Sequence, residues 1–243
     1  MSLAVLITRP EPSALHLADA LRARWGCGVR VVISPVLEIK PTGIVPDLDG
    51  IGTLIFTSQH AVDAYLATTS RRDLPCYAVG AATAAAAQAA GLDTVHADGN
   101  ADALIALMLT SAVRGSCLHL RGAHVTGDLA HRLTEQGLPT SETVLYDQVE
   151  CPLSADAKAC LTRGTKVILP LYSPRSAKIL FSQVRPEAQL YVAAISDNVA
   201  AHVPKDVVKC LLVADQPHAD AMIRVLDKLL EDAKRVEGAN RAQ

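Results

Sequence analysis

Hydroxyl, amide and glycine residues gather where apolar runs give way to helical ones. They stand at Thr57-Ser58, Gly80-Ala81-Ala82-Thr83 and Gly99-Asn100, and again at Ser173, Ser196-Asp197-Asn198 and Gln216-Pro217. Small residues at such a junction leave backbone N–H groups exposed at the start of a helix. With the helix dipole, those groups bind a carboxylate or phosphate without a lysine or arginine. Helix capping is the plainer role for Ser58, Ser173 and Ser196 taken singly; the recurrence of the pattern favours a shared anionic ligand. Arg9 in Thr8-Arg9-Pro10 and Arg121 in Leu120-Arg121-Gly122 each follow an apolar run, either to bind carboxylates or to sit solvated in a loop. Tyr146, next to Asp147, offers a phenol to a ligand or packs a connection between domains. His119, inside an apolar run, reads as a satisfied core histidine rather than a base.

Other chemistries lack their residues. No Ser-His-Asp order, Cys–His dyad or paired carboxylate stands out, and neither G-x-G-x-x-G nor G-x-x-x-x-G-K-[ST] occurs. The six cysteines include no C-x-x-C pair, and the eight histidines form no ligand-spaced pair with an acidic partner, so no metal is expected. Half of the 243 residues are hydrophobic, enough for a real core in one large or two small domains. A net charge of −2 and an aromatic content of 3% leave neither an electrostatic footprint nor stacking platforms for nucleic acid. The apolar run Leu3–Ile7 is too short to span a bilayer and lacks the basic flank of a signal peptide. The expectation is a cytoplasmic protein with reduced thiols, no membrane partner, and structure from its first residues.

The elements that must position these residues alternate along the whole chain. Strand runs are expected at Leu3–Thr8, Val29–Ser34, Thr53–Thr57, Pro75–Val79, Thr94–His96, Ser116–Leu120, Thr143–Tyr146, Lys166–Leu171, Tyr191–Ile195 and Cys210–Val213, with helical stretches between most of them. The tail from Glu231 to Gln243 is expected to fray. Such alternation, with strands apolar on both faces, predicts an α/β fold with parallel sheets. An internal repeat sharpens this. Leu54–Val62 lines up with Leu169–Ala177, Ala78–Ala84 with Ala194–Ala200, and Ala97–Leu104 with Ala214–Met222. Leu3–Pro35 has no counterpart ahead of the second copy, so a simple halving of the chain fails. The economical solution is one discontinuous lobe, residues 1–36 plus 149–243, with residues 37–148 inserted as a second lobe. The crossings at Leu37–Pro41 and Tyr146–Glu150 would form a two-stranded hinge, with a cleft for a small molecule between two similar flavodoxin-like lobes.

Together these motifs resemble the uroporphyrinogen-III synthase family. The stretches are Val5–Pro10, Leu54–Val62, Tyr77–Ala84, Gly99–Leu104, Leu118–Gly122, Val144–Tyr146 and Ser173–Ala177; their order and spacing carry the resemblance across the chain. One departure is the last loop, Ser196-Asp-Asn-Val-Ala200, where the family often has Gly and Thr. The resemblance implies a cofactor-free, monomeric enzyme that cyclises hydroxymethylbilane. Hydroxide loss gives an azafulvene, a spiro intermediate follows, and the terminal pyrrole ring ends inverted. The implied partner is the linear tetrapyrrole alone, received from the preceding pathway enzyme. The implied substrate-binding set is Arg9, Thr57, Ser58, Gly80, Ala82, Thr83, Arg121, Gly122, Ser173, Ser176, Ser196 and Asn198, with Tyr146 as catalytic proton donor. A non-catalytic two-lobe module closing on a small anion is the alternative.

Overall fold

The computed structural model describes residues 2–98, 100–113, 115–124 and 127–240, apart from the side chains of residues 2, 27 and 236–240. Gly99, one of the candidate positions, lies outside the described residues, as do the last three residues of the tail. In chain order the elements are β1 (Ser2–Ile7), α1 (Ser13–Trp25), β2 (Arg30–Ile33), β3 (Leu37–Pro41), β4 (Ile51–Phe56), α2 (Gln59–Thr68), β5 (Cys76–Val79), α3 (Ala81–Ala89), β6 (Thr94–Ala97), α4 (Ala101–Thr110), β7 (Ser116–Gly122), α5 (Leu129–Glu135) and β8 (Thr140–Glu150). There follow α6 (Ala155–Cys160), β9 (Thr165–Leu171), α7 (Pro174–Gln183), β10 (Gln189–Ala194), α8 (Asp197–Ala200), β11 (Val208–Val213) and α9 (Ala219–Asn240). The chain folds into two compact units, Met1–Glu38 with Val149–Gln243, and Ile39–Gln148.

Unit 1 holds the sheet β2-β1-β9-β10-β11, in which every neighbouring pair is parallel. Its strands are apolar on both faces because helices cover both. Ala4 and Leu6 enter one core with Val167, Leu169 and Leu171, while Val5 and Ile7 enter the other with Ile168 and Tyr191. Unit 2 holds β8-β7-β4-β5-β6, again parallel, with β3 added at the β8 edge. The bonds Thr42 N to Leu145 O and Cys151 N to Val36 O run in opposite senses along β3 and β8, so that edge pair is antiparallel. Here Leu54, Phe56, Leu118 and Leu120 face one core, and Ile55 and Cys117 the other.

The two sheets share one spatial order but enter it at different points. The repeated segments are β4-β5-β6 and β9-β10-β11, which leaves β7 and β8 in the places held by β1 and β2. One unit is thus a circular permutation of the other. This corrects the expectation that Leu3–Pro35 has no counterpart ahead of the second copy: β7 to β8, which precede β9, hold its place in unit 2. Arg9 and Arg121 occupy matching strand ends.

Local chemistry sets the helix starts. Ser58 Oγ accepts from His60 N at 3.1 Å, Ser173 Oγ from Ser176 N at 3.0 Å, and Asn100 caps α4 in the same way. Gly80, at φ +79°, ends β5 in a conformation that glycine alone adopts readily. Cys76, Cys117, Cys151, Cys160 and Cys210 are free thiols, and burial pushes that of Cys76 up to about 12. Among the described residues no helix is long and apolar enough to cross a membrane.

Over the described residues the expected fraying from Glu231 is not found. Helix α9 runs on through Asn240, with Met222, Leu226, Leu229 and Ala233 fully buried along one side at helical spacing. Lys166, on β9, is itself buried and donates from Nζ to the Ala233 carbonyl at 2.7 Å. Removing an acceptor from a buried ammonium costs about 1–3 kcal/mol or more. Truncation after Glu231 should therefore lower stability to urea, measured by chemical denaturation, by at least that amount relative to the full chain.

Candidate functional site

A parallel strand covered on both faces presents side chains to ligands only where it ends, and open α/β sheets bind at the carboxyl ends beside the point where strand order reverses. In unit 2 that point lies between β4 and β7. A cavity of about 330 Å³ opens there. Thr57 and Ser58 reach it from the end of β4, Val79 from β5, His119 and Gly122 from β7, and Tyr146 and Gln148 from β8. Ser58, Ala101 and Leu129 line it from the starts of α2, α4 and α5, so three helix N-termini are directed at one space. Their partial positive charge favours carboxylates.

Tyr146 is placed by two features of the backbone. The β7–β8 register shifts so that Arg121 faces Val144 and Gly122 faces Tyr146, with Leu145 as the extra residue. Such a bulge re-aims a side chain. The ring then lies directly on Gly122, where an added Cβ would stand 2.6 Å from Cζ. His60 meets the ring edge-on at a centroid distance of 5.8 Å. Burial raises the phenol's pKa above its ordinary value, with a hydrogen bond from Ser58 acting against it, so the group stays protonated at neutral pH.

His119 is satisfied, as expected, but it also belongs to the cavity. Its Nε2 lies 3.2 Å from Thr57 Oγ1 and its Nδ1 3.1 Å from Glu142 Oε1. Glu142 Oε2 in turn meets Arg121 Nη2 at 2.9 Å. Burial is the main cause that holds the imidazole's pKa below its ordinary 6.5; Arg121 adds to this and Glu142 opposes it.

The structure thus brings Thr57, Ser58, Gly122 and Tyr146 together and leaves the other expected residues elsewhere. Arg121 is not aimed at the cavity: Glu142 and the Gly122 carbonyl, at 2.9 Å, hold its guanidinium. Ala82 is exposed at the start of α3, its carbonyl accepting from Gln59 Nε2 at 2.9 Å. Gly80 and the buried Thr83 flank it, and none of the three lines the cavity. The remaining five lie in unit 1. Arg9 stacks over the Tyr172 ring, 4.1 Å from its centroid, at the matching strand ends of β1 and β9. Ser173 caps α7 and donates to Ser176 Oγ at 3.0 Å. Ser196 precedes α8 without a side-chain capping bond, and Asn198 is exposed on that short helix.

Sequence reasoning missed Glu142, Gln148 and the cavity role of His119. The available signal was period two along β7, which puts Cys117, His119 and Arg121 on one face, two of them polar at the strand's end.

Three comparisons with known proteins bear on the chain. The family model described as uroporphyrinogen-III synthase HemD matches residues 16–224. The fold is similar to that of uroporphyrinogen-III synthetase from Helicobacter pylori 26695, with a TM-score of 0.66 at 19% identity over 94% of this chain and 100% of that one. It is also similar to a mutant uroporphyrinogen III synthase from the extremely thermophilic bacterium Thermus thermophilus, with a TM-score of 0.59 at 16% identity over 95% and 100% of the two chains. No curated protein matches the sequence.

Because the Tyr146 ring occupies the space of a side chain at position 122, Gly122→Ala should cost about 1–3 kcal/mol by overpacking. In a Tyr146→Ala background the same change should cost little. Equal losses in both backgrounds, measured by chemical denaturation, would separate the glycine from the ring.

Proposed function

The chain belongs to the uroporphyrinogen-III synthase family, cyclising lyases that close hydroxymethylbilane with inversion of the terminal pyrrole ring and loss of water, and we propose that the unit 2 cavity holds the reacting end of that substrate. The observation that carries this is the meeting of Thr57, Ser58, His119 and Tyr146 around one cavity at the starts of α2, α4 and α5. At about 330 Å³ the cavity is at the small end of ligand pockets, about 300–1,000 Å³. It therefore takes part of a four-ring chain, with carboxylates toward the helix starts.

The reaction asks for little covalent chemistry. The departing hydroxyl needs a proton or a strong hydrogen bond, and the open chain must be held with its terminal ring turned, since it also closes without inversion when left alone. Positioning and one weak acid meet both needs. Tyr146 is the proposed acid. A buried phenol donates without first carrying a charge into the site, and Ser58 stands ready to stabilise it as it gives up its proton. Backbone amides and hydroxyls at Ser58 and Gly122 are proposed to hold the ligand in unit 2. Arg9, Ser173, Ser176, Ser196 and Asn198 are proposed as contacts of unit 1, while Gly80, Ala82, Thr83 and Arg121 shape the surroundings of the unit 2 site. We propose further that the enzyme acts as a monomer in the cytoplasm on a bilane delivered by the preceding enzyme, a setting that the free thiols suit. No observation favours the non-catalytic anion-binding reading.

Incubation with freshly made hydroxymethylbilane, followed by separation of the isomers, should give the type III product; type I alone would overturn the reading. Tyr146→Phe keeps the ring on Gly122 and deletes only the hydroxyl. It should lower turnover by about tenfold, the low end for positioned acid catalysis because this hydroxyl leaves readily, with little shift in melting temperature. Full activity would assign Tyr146 to packing alone.

A further inference from the structure

The contacts of His119 fix where its proton lies. An ionised carboxylate only accepts hydrogen bonds, and Glu142 is ion-paired through Oε2 to Arg121 while Oε1 faces His119 Nδ1. Nδ1 therefore carries the hydrogen. In the neutral ring Nε2 is then an acceptor, and the group beside it at 3.2 Å is the Thr57 hydroxyl. Thr57 has one proton to give and gives it to the ring, so its oxygen meets the cavity with lone pairs only.

Nothing in the fold demands this arrangement, because unit 1 is built without it. Ile55 faces His119 across β4–β7, and His119 faces Glu142 across β7–β8. In the matching places of unit 1, Ile7 faces Ile33, and the residue before Ser173 is Tyr172 where Thr57 precedes Ser58. Ile7 is fully buried in an ordinary apolar core. Where unit 1 packs hydrocarbon, unit 2 takes an imidazole out of water, at a cost that only its hydrogen bonds offset. What unit 2 gains is a hydroxyl of fixed polarity on the cavity wall.

We infer that Glu142 and His119 are positioning residues that hold the Thr57 hydroxyl as a hydrogen-bond acceptor toward the cavity, so that Thr57 receives a pyrrole N–H of the substrate and turns away its carboxylates. This rests on the reading of the cavity as the bilane site. Carboxylates then go to the helix starts, and the ring nitrogens are read separately. The charged groups against the imidazole among the described residues are Glu142 from β8 and Arg121 on β7 itself, with neutral Thr57 across from β4. Protonation at Nε2 reverses the device: the ring becomes the donor, and the Thr57 proton swings into the cavity. Substrate binding should weaken as pH falls through the His119 pKa, which lies below 6.5.

The first test needs no substrate. In protein labelled with ¹⁵N-histidine, His119 should show the neutral Nδ1–H tautomer at pH 7.5, the form less favoured by free histidine. The Nε2–H tautomer would overturn the inference and leave the enzymatic reading untouched. In the bilane assay Thr57→Val should lower kcat/KM by about three- to tenfold, mainly through KM, and Thr57→Ser should restore it. His119→Ile, the residue type that unit 1 carries in this place, should match that loss and abolish the acid limb of the kcat/KM profile while the melting temperature holds. A His119→Ile enzyme with wild-type kcat/KM and the same acid limb would refute the positioning role; absence of type III product with the wild-type chain would instead refute the enzymatic reading.

Discussion

A strand with helices on both faces has no place for polar chemistry until it ends. In both units the central strands are buried on each side, with neighbouring residues of one strand entering opposite cores. Function is thereby confined to the first residue or two after a strand and to the helix that follows. Unit 2 departs from the rule in β8, whose Tyr146 and Gln148 line the cavity before the strand ends, and most deeply in β7. His119 lies inside β7, three residues before its end, on the face of Cys117 and Ile55. Burying it there is tolerable because both ring nitrogens are bonded, one to a neighbouring strand and the other to the turn after β4. The exception is also the point at which the core connects to the cavity wall.

The permuted relation between the units turns the molecule into its own control. The same spatial order of five parallel strands is built twice, and the two switch points can be compared place by place. In unit 1 that place carries Arg9 stacked on Tyr172; burial lowers the arginine's pKa and raises the tyrosine's. In unit 2 Arg121 is drawn back to Glu142, and a threonine replaces the tyrosine. Matching strand ends therefore carry the same cation in two different states: one lies across an aromatic face and the other is paired with Glu142.

How much of this was legible depends on sequence distance. Helix Ser13–Trp25 and the strand at Ser116 follow from local apolar period, and the capping serines from their place between a strand and a helix. The shared end of Thr57, Ser58 and Gly122 follows once the sheet is parallel. What local pattern does not contain is register. Glu142 stands beside His119 only because β8 pairs with β7 at that offset, and Tyr146 reaches Gly122 only through a one-residue bulge. Strand β3 reads as a mere extended crossing because it is mostly exposed and only its edge pairing with β8 makes it a strand, and α9 outruns its expected end because the Lys166 bond to Ala233 is invisible along the chain.

The treatment of charge follows from these placements. A substrate bearing several carboxylates invites arginines, yet Arg121, on the β7 strand whose His119 and Gly122 line the unit 2 cavity, already has its carboxylate partner. On the proposed reading, attraction is left to the starts of α2, α4 and α5, whose partial charges are fixed by the backbone and need no side chain to reorganise. Held this way, an anion meets donors of moderate strength beside the Tyr146 phenol, the Thr57 and Ser58 hydroxyls, the Gln148 amide and the His119 imidazole held neutral by burial, none of which carries a charge, while His124, which also lines the cavity, pairs with Asp147. That suits a reaction whose difficulty is conformational. Strong ion pairs would hold the open bilane and the closed ring alike, and binding that does not distinguish them adds nothing to turnover. Neutral groups of fixed hydrogen-bonding direction respond instead to which way a pyrrole ring is turned, and that orientation decides between the two products.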